Sequence, residues 1–263
     1  VDELPIDVAV GQVMPKCLRH PCPIADGYSI NAAIAGHTAM PRAMVVRGAN
    51  GTARAVALPL KQNAPEPDVS ARMLEGGFGY IRIRSFANLD AIAAFDLALE
   101  PMRAARGLII DVRDNGGGDT AVARPMMGRF ITQPMPYAHM RRRAGRGLSA
   151  PWVESVDQRG PFSFTAPVVG LCNHWSGSMA EGFPMGMRDI GRARIVGTRM
   201  MGLGAAVFAI NLDRTGISAH YSAEPVYDTH DAPRWELRPD VEVAPGDDIL
   251  AAGVRELARL TQS

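Results

Sequence analysis

The chain has 263 residues, 47% apolar and 21% charged, enough for one sizeable core with or without a small extra module. A net charge of +1 gives no strong field for nucleic acid or an anionic membrane, and no apolar run approaches the roughly 18 residues that span a bilayer. Three cysteines lack metal-ligand spacing: Cys17 and Cys22 either form a local bridge in an oxidising compartment or stay as thiols, and Cys172 ends an apolar run as a small buried residue.

The chain starts at Val1 rather than Met, as expected after processing or trimming that would have taken any targeting peptide with it. Residues 1–60 are irregular in pattern. Within them, MVVRGANGTARAVALPL predicts two short strands around a turn at Asn50–Gly51. The polar stretch KQNAPEPDVS predicts a linker over residues 61–72. FGYIRIRSF then predicts a strand. Asn88 or Asp90 opens a helix whose apolar face is Leu89, Ile92, Phe95, Leu99 and Met102, and Gly107 ends it. LIIDV is a near-continuous apolar strand, as in a sheet covered on both faces. RDNGGGD follows, then a helix from Thr120 to about Ile131. PVVGLC predicts another buried strand, SMAEGFPMGMRDI a helix despite Pro184, and RARIVGT a further strand. AAVFAINL and GISAHYSAE predict a hairpin across DRTG, and Asp247 to Leu260 the last helix. The alternation implies right-handed crossovers and a largely parallel sheet, an α/β fold. The basic cluster HMRRRAGR lacks interleaved aromatics and reads as a solvated strand end or loop, so no nucleic-acid partner is expected.

Two glycine- and serine-bearing segments carry chemistry. DVRDNGGGD, Asp111 to Asp119, places three glycines after a buried strand, where a tight turn exposes N–H groups to a developing oxyanion. It has neither the lysine nor the spacing of a P-loop, nor a G-x-G-x-x-G pattern. WSGSMAE sets Ser178 at a strand-to-helix junction, facing the sheet edge that ligands favour, beside the unpaired N–H groups of a first helical turn. Ser178 to Glu181 is equally a capping box, and the segment is not a G-x-S-x-G elbow. A third segment, VGTRMMGLGAA, is by itself a glycine-bearing loop.

Together GYIRIRSF, GLIIDVRDNGGG, PVVGLCNHWSGSMAE, DIGRARIVGTRMMGLG and RPDVEV, in this order, resemble the catalytic domain of the S41 serine peptidases, the C-terminal processing or tail-specific proteases. The resemblance covers about residues 73–263. It implies a ClpP/crotonase-like layered catalytic domain that cleaves peptides near their C-termini. Residues 1–60 resemble part of a PDZ domain. The resemblance places the nucleophile at Ser178 and the oxyanion hole at the N–H groups of Gly117, Gly118 and Met179. The family's base is a lysine, and its position here is Leu203, so the Ser–Lys dyad is absent. A serine hydroxyl needs a base. A tricorn-type branch pairs Ser with His and Glu, which points to Glu236 and, upstream, to His37. His174, His220 and His230 are further candidates, and spacing does not choose among them. Arg113 is expected to brace the glycine loop by an ion pair, and methionines around the site to fill core or line a cleft.

Three functions follow. The first is a serine hydrolase acting on peptides or proteins through an acyl-enzyme on Ser178, without cofactor or metal. The second is an inactive relative that binds peptides or a small ligand. The third, a crotonase-like enzyme of CoA thioesters, lacks any adenine-binding feature. The resemblance implies a periplasmic or secreted location.

Overall fold

The computed structural model describes residues 1–16, 23–36, 40–58 and 66–262. Cys17, Cys22 and His37 lie outside the described residues. The chain divides into two compact units, Val1–Glu66 and Pro67–Ser263. No helix among the described residues is long and apolar enough to cross a membrane.

The first unit has helices α1 (Ile6–Val13) and α2 (Pro23–Ala35) and an antiparallel hairpin of β1 (Arg42–Arg47) and β2 (Ala53–Leu58). Gly51, at φ +81°, closes the hairpin at the turn foreseen in the sequence. The helices correct the reading of this region as irregular. The β-branched run of α1 and the Gly27, Ser29 and Asn31 of α2 are weak helix formers, so propensity gave little signal.

The second unit runs β3 (Val69–Leu74), β4 (Phe78–Ile83), α3 (Asp90–Leu99), β5 (Gly107–Asp111), α4 (Thr120–Met127), β6 (Met135–Met140), β7 (Arg143–Ala144), β8 (Gly147–Leu148), β9 (Trp152–Val156), β10 (Val168–Cys172), α5 (Met179–Asp189), β11 (Ala193–Gly197), β12 (Ala205–Leu212), β13 (Ile217–Tyr227), β14 (Val241–Glu242) and α6 (Ile249–Leu260). The main sheet has the order β14-β11-β10-β5-β4-β3, parallel except for the edge strand β3. β3 begins inside the stretch expected as linker to residue 72. Of its residues only Val69 is buried, so an edge strand there leaves almost no period-two pattern.

Alternate side chains of each central strand enter opposite cores. Ile81, Ile83, Leu108 and Ile110 pack with Phe95, Leu99, Met126 and Phe183 of α3, α4 and α5. Tyr80, Ile109, Val169 and Leu171 pack with Leu257 of α6. Each fully buried aliphatic side chain stabilises by about 1.5–3 kcal/mol. Leu89, placed on the helical face by spacing, is 64% exposed because it precedes the first turn. Gly107 opens β5 rather than ending a helix, and a 3-10 turn at Glu100–Met102 ends α3 instead.

A second, antiparallel sheet has the order β12-β13-β6-β9. β6 and β9 were not foreseen; Pro136 and the mixed polarity of MPYAHM and WVESV hide them. The β12–β13 hairpin is as foreseen, and its outer part is exposed on both faces.

Candidate active site

β5 and β10 are parallel neighbours, with Leu171 opposite Asp111. Their carboxyl ends therefore deliver the glycine loop and the Ser178 loop to one sheet edge. Asn173 and Asp114 bond reciprocally, Asp114 N–H to Asn173 Oδ1 at 3.0 Å and Asn173 Nδ2 to Asp114 Oδ1 at 2.7 Å. Gly177 N–H donates to the Asn115 carbonyl at 2.9 Å, and the buried Ser176 hydroxyl to the Val112 carbonyl at 2.8 Å. Behind the loop, Asp111 is buried and accepts from Tyr80 Oη and Arg113 Nη2, both at 2.6 Å, so Arg113 does form the bracing ion pair.

Ser178 sits at the start of α5 with φ 55° and ψ −117°. A non-glycine residue held there stores about 1–3 kcal/mol of strain. The first turn has the outline of a capping box. Glu181 Oε2 accepts Ser178 N–H at 2.8 Å, while Glu181 N–H reaches the Ser178 carbonyl at 2.9 Å.

Three N–H groups were expected at an oxyanion hole, and they differ. Gly117 N–H is spent on Asn115 Oδ1 at 2.8 Å, and Asn115 Nδ2 is fixed on the Ile83 carbonyl at 3.0 Å. Gly117 matters instead for close approach: a Cβ there would lie 2.7 Å from Ser178 Cβ and 2.9 Å from Met179 N. Gly118 is bridged to Phe86 through its neighbours, Phe86 N–H to the Gly117 carbonyl and Asp119 N–H to the Phe86 carbonyl, both at 2.9 Å. That leaves Gly118 N–H without a partner among the described residues. Met179 N–H is the first of α5 and has no intrahelical acceptor.

Ser178, Gly118 and Met179 line a cavity of about 350 Å³. Its walls come from β6 (Tyr137, Ala138, Met140), β12 (Ala205 to Val207), Val226 of β13, and Gly182 and Met185 of α5, with Arg234 and Asp119 as charged members. Burial, helped by the charge of Glu154, pushes the Tyr137 phenol up to about 12, so it remains a hydroxyl.

Glu181 is buried and ties the α5 start to the next loop. Oε1 accepts Gly202 N–H at 2.6 Å, and Oε2 accepts Leu203 N–H at 2.9 Å besides that of Ser178. Burial pushes its pKa above the usual carboxylate range, while these N–H groups and Arg234 pull the other way. The Leu203 side chain, 44% exposed, leans over Gly177. A leucine there offers no proton acceptor.

No histidine among the described residues lines the cavity. His174 is exposed and packs edge-on against Trp175 with centroids 5.0 Å apart. His220 is exposed on β13 opposite Ala209. His230 lies in the loop after β13, its N–H on Asp228 Oδ1 at 2.9 Å, and His139 pairs with Asp231 at 3.0 Å. The chain's two lysines, Lys16 and Lys61, both precede the second unit. Glu236 is exposed and lines a neighbouring recess with Arg188 and Asp228, which shares Met185 and Arg234 with the cavity. Sequence reasoning missed Tyr137 and Arg234, which come from a second sheet and a 3-10 turn with no local signature. Asn115 and Ser176 were inside the motifs but not singled out.

Asp189, Asp228 and His230 offer ligand atoms within 4.8 Å of one another. Arg188 already approaches the two carboxylates at 3.9 and 3.8 Å, so a cation is at hand without a metal. Burial pushes the Cys172 thiol up to about 12, as in an inert core cysteine.

Residues 77–243 match the model of peptidase family S41. Among solved structures, the chain superposes on a protein of Parabacteroides merdae ATCC 43184 assigned as a peptidase, with TM-score 0.64 and 23% identity over 77% of this chain and 67% of that one. It superposes on mature CPAF complexed with lactacystin at TM-score 0.69 and 16% identity, over 99% of this chain and 76% of that one. The photosystem II D1 C-terminal processing protease gives 0.60 at 22% identity, over 82% of this chain and 57% of that one. At these identities the superpositions establish the layered α/β fold.

Proposed function

The chain belongs to peptidase family S41, and from that premise we propose that it is a serine-type peptidase with Ser178 as nucleophile. The observation that carries this is Ser178 held at φ 55° beside two N–H groups without partners among the described residues, on the wall of an open cavity. A serine needed only as a cap takes extended backbone angles and has no reason to hold a strained backbone.

In this reading Ser178 Oγ bonds to the carbonyl carbon of a peptide while its proton passes to a base. The carbonyl oxygen takes up negative charge and is met by the N–H groups of Gly118 and Met179. The carbon–nitrogen bond breaks, the amine leaves with a proton, and water then hydrolyses the acyl-enzyme. The base is not lysine, since Leu203 stands in its place. The resemblance alone points to His37, which lies outside the described residues, and to Glu236, which is not among the residues lining the cavity. β12 is an outer strand, and its Ala205–Val207 stretch lines the cavity, which suits an extended peptide added beside it. A PDZ-like first region and export to the periplasm or medium belong to the same reading and rest on the resemblance alone.

A fluorophosphonate probe followed by peptide mapping tests the nucleophile. The expected adduct is on Ser178, is lost on heat denaturation, and is absent from Ser178→Ala. A second reading, a peptide-binding relative without chemistry, is favoured by Leu203 and by the lack of a base on the cavity wall. A folded protein that binds peptides but never acylates would establish that reading instead.

A further inference from the structure

The cavity beside Ser178 is apolar on most of its wall but holds one buried guanidinium. Arg234 is 6% exposed. Its Nε and Nη2 donate to the Leu203 carbonyl at 3.1 and 2.6 Å, and Nη2 reaches the Ala205 carbonyl at 3.5 Å. No carboxylate among the described residues lies within 4.0 Å of it. Glu181 is near enough to feel the charge, but its two oxygens already accept three backbone N–H groups. Nη1 rests against the first turn of α5, 3.3 Å from where a Cβ on Gly182 would stand. Gly182 is itself part of the cavity wall, so an alanine there would crowd both Nη1 and the Met179 side chain.

Arg234 feels the charge of Glu181 but makes no direct ion pair with it, so a carboxylate brought against the guanidinium gains charge-assisted hydrogen bonds that no side chain of the wall supplies. The remaining wall, Ala138, Met140, Met185, Ala206 and Val226, suits an aliphatic stem. Asp119 is the opposing charge, and it sits exposed on the rim with Oδ1 spent on capping α4 through Ala121 N–H at 2.8 Å. We infer that this cavity selects a substrate side chain with an aliphatic stem and a carboxylate tip, glutamate in a peptide, read by Arg234. The inference rests on the proposed peptidase reading and names the substrate class of that same site. Arg234 is then a specificity-determining residue that touches substrate away from the scissile bond.

Two measurements separate this inference from the reading beneath it. The first compares labelling rates of the wild-type protein by peptidyl diphenyl phosphonates that differ only in the side chain beside phosphorus, glutamate, glutamine or norleucine. The second measures binding of the matching fluorescein-labelled peptides to Ser178→Ala, which needs no acylation. Glutamate is expected to exceed norleucine by about tenfold or more in both, as a charge-assisted hydrogen bond supplies, with glutamine between. Arg234→Met is expected to reverse the order and Arg234→Lys to keep it in weaker form. Equal or better norleucine in the wild type overturns the inference while fluorophosphonate labelling of Ser178 leaves the peptidase reading standing. Glutamate preference in binding without any labelling keeps the inference and removes the nucleophile. If Arg234→Met fails to fold, the wild-type ratio decides alone.

Discussion

Two adjacent glycines give a sharp test of how Ser178, the proposed nucleophile, is held. Gly117 has φ +106°, and an alanine there would set Cβ 2.7 Å from Ser178 Cβ, 2.8 Å from the Gly177 carbonyl oxygen and 2.9 Å from Met179 N. Ordinary carbon contacts are about 3.5–4.0 Å, so the two loops must part by roughly 1 Å. Backbone strain contributes about 1–3 kcal/mol and overpacking a similar amount, so Gly117→Ala is expected to cost about 2–6 kcal/mol. With a urea slope near 3 kcal/mol/M that moves the unfolding midpoint down by about 1–2 M. All three tryptophans, Trp152, Trp175 and Trp235, lie in the second unit and report this unfolding by fluorescence. The same displacement is expected to slow fluorophosphonate labelling of Ser178 by about 10²-fold. Gly116, one residue earlier, meets nothing within 4 Å, and Gly116→Ala is expected to stay within about 0.5 kcal/mol with normal labelling. Wild-type labelling and stability in Gly117→Ala, or equal damage in Gly116→Ala, would refute the argument that Gly117 sets the approach of the two loops.

Other outcomes follow from single contacts. Asp96 accepts from the buried Arg129 at 2.6 Å and from Arg159 at 2.6 Å. Burial pushes its pKa up, but the hydrogen bonds from Arg159 and Arg129 win and hold it below the usual carboxylate range. Asp96→Asn is therefore expected to cost about 3–5 kcal/mol at pH 7 by leaving buried charge unpaired. Since the folded pKa is depressed, that stability is full above the unfolded carboxylate pKa. It is lost as pH falls through the folded one, so wild-type and variant midpoints should converge in acid. Leu203→Lys puts an amine where the resemblance to the family places its base, on a half-exposed side chain, and is expected to raise labelling of Ser178 by about 10²-fold as pH rises and the amine deprotonates. Unchanged labelling with normal folding would show that position 203 does not reach the hydroxyl. Glu181→Gln swaps an acceptor for an amide N–H against backbone donors, and a loss of about 2–4 kcal/mol in urea unfolding is expected, with labelling slowed.

The sequence by itself determined the α/β alternation, the two strand-end loops and the serine between them. Buried parallel strands such as LIIDV and VVGLC are apolar throughout, and glycine runs mark turns that other residues cannot make, so both leave local signatures. Tertiary structure alone decided which N–H groups are free. Gly117 and Gly118 look alike in GGG, yet Asn115 takes one and the pairing of Phe86 frees the other. It also decided that Glu236 lines only a neighbouring recess while Arg234, two residues earlier, lines both that recess and the cavity. Those choices depend on strands far apart in the chain meeting across two sheets, and the spacing of residues along a sequence does not encode the distance between them in space.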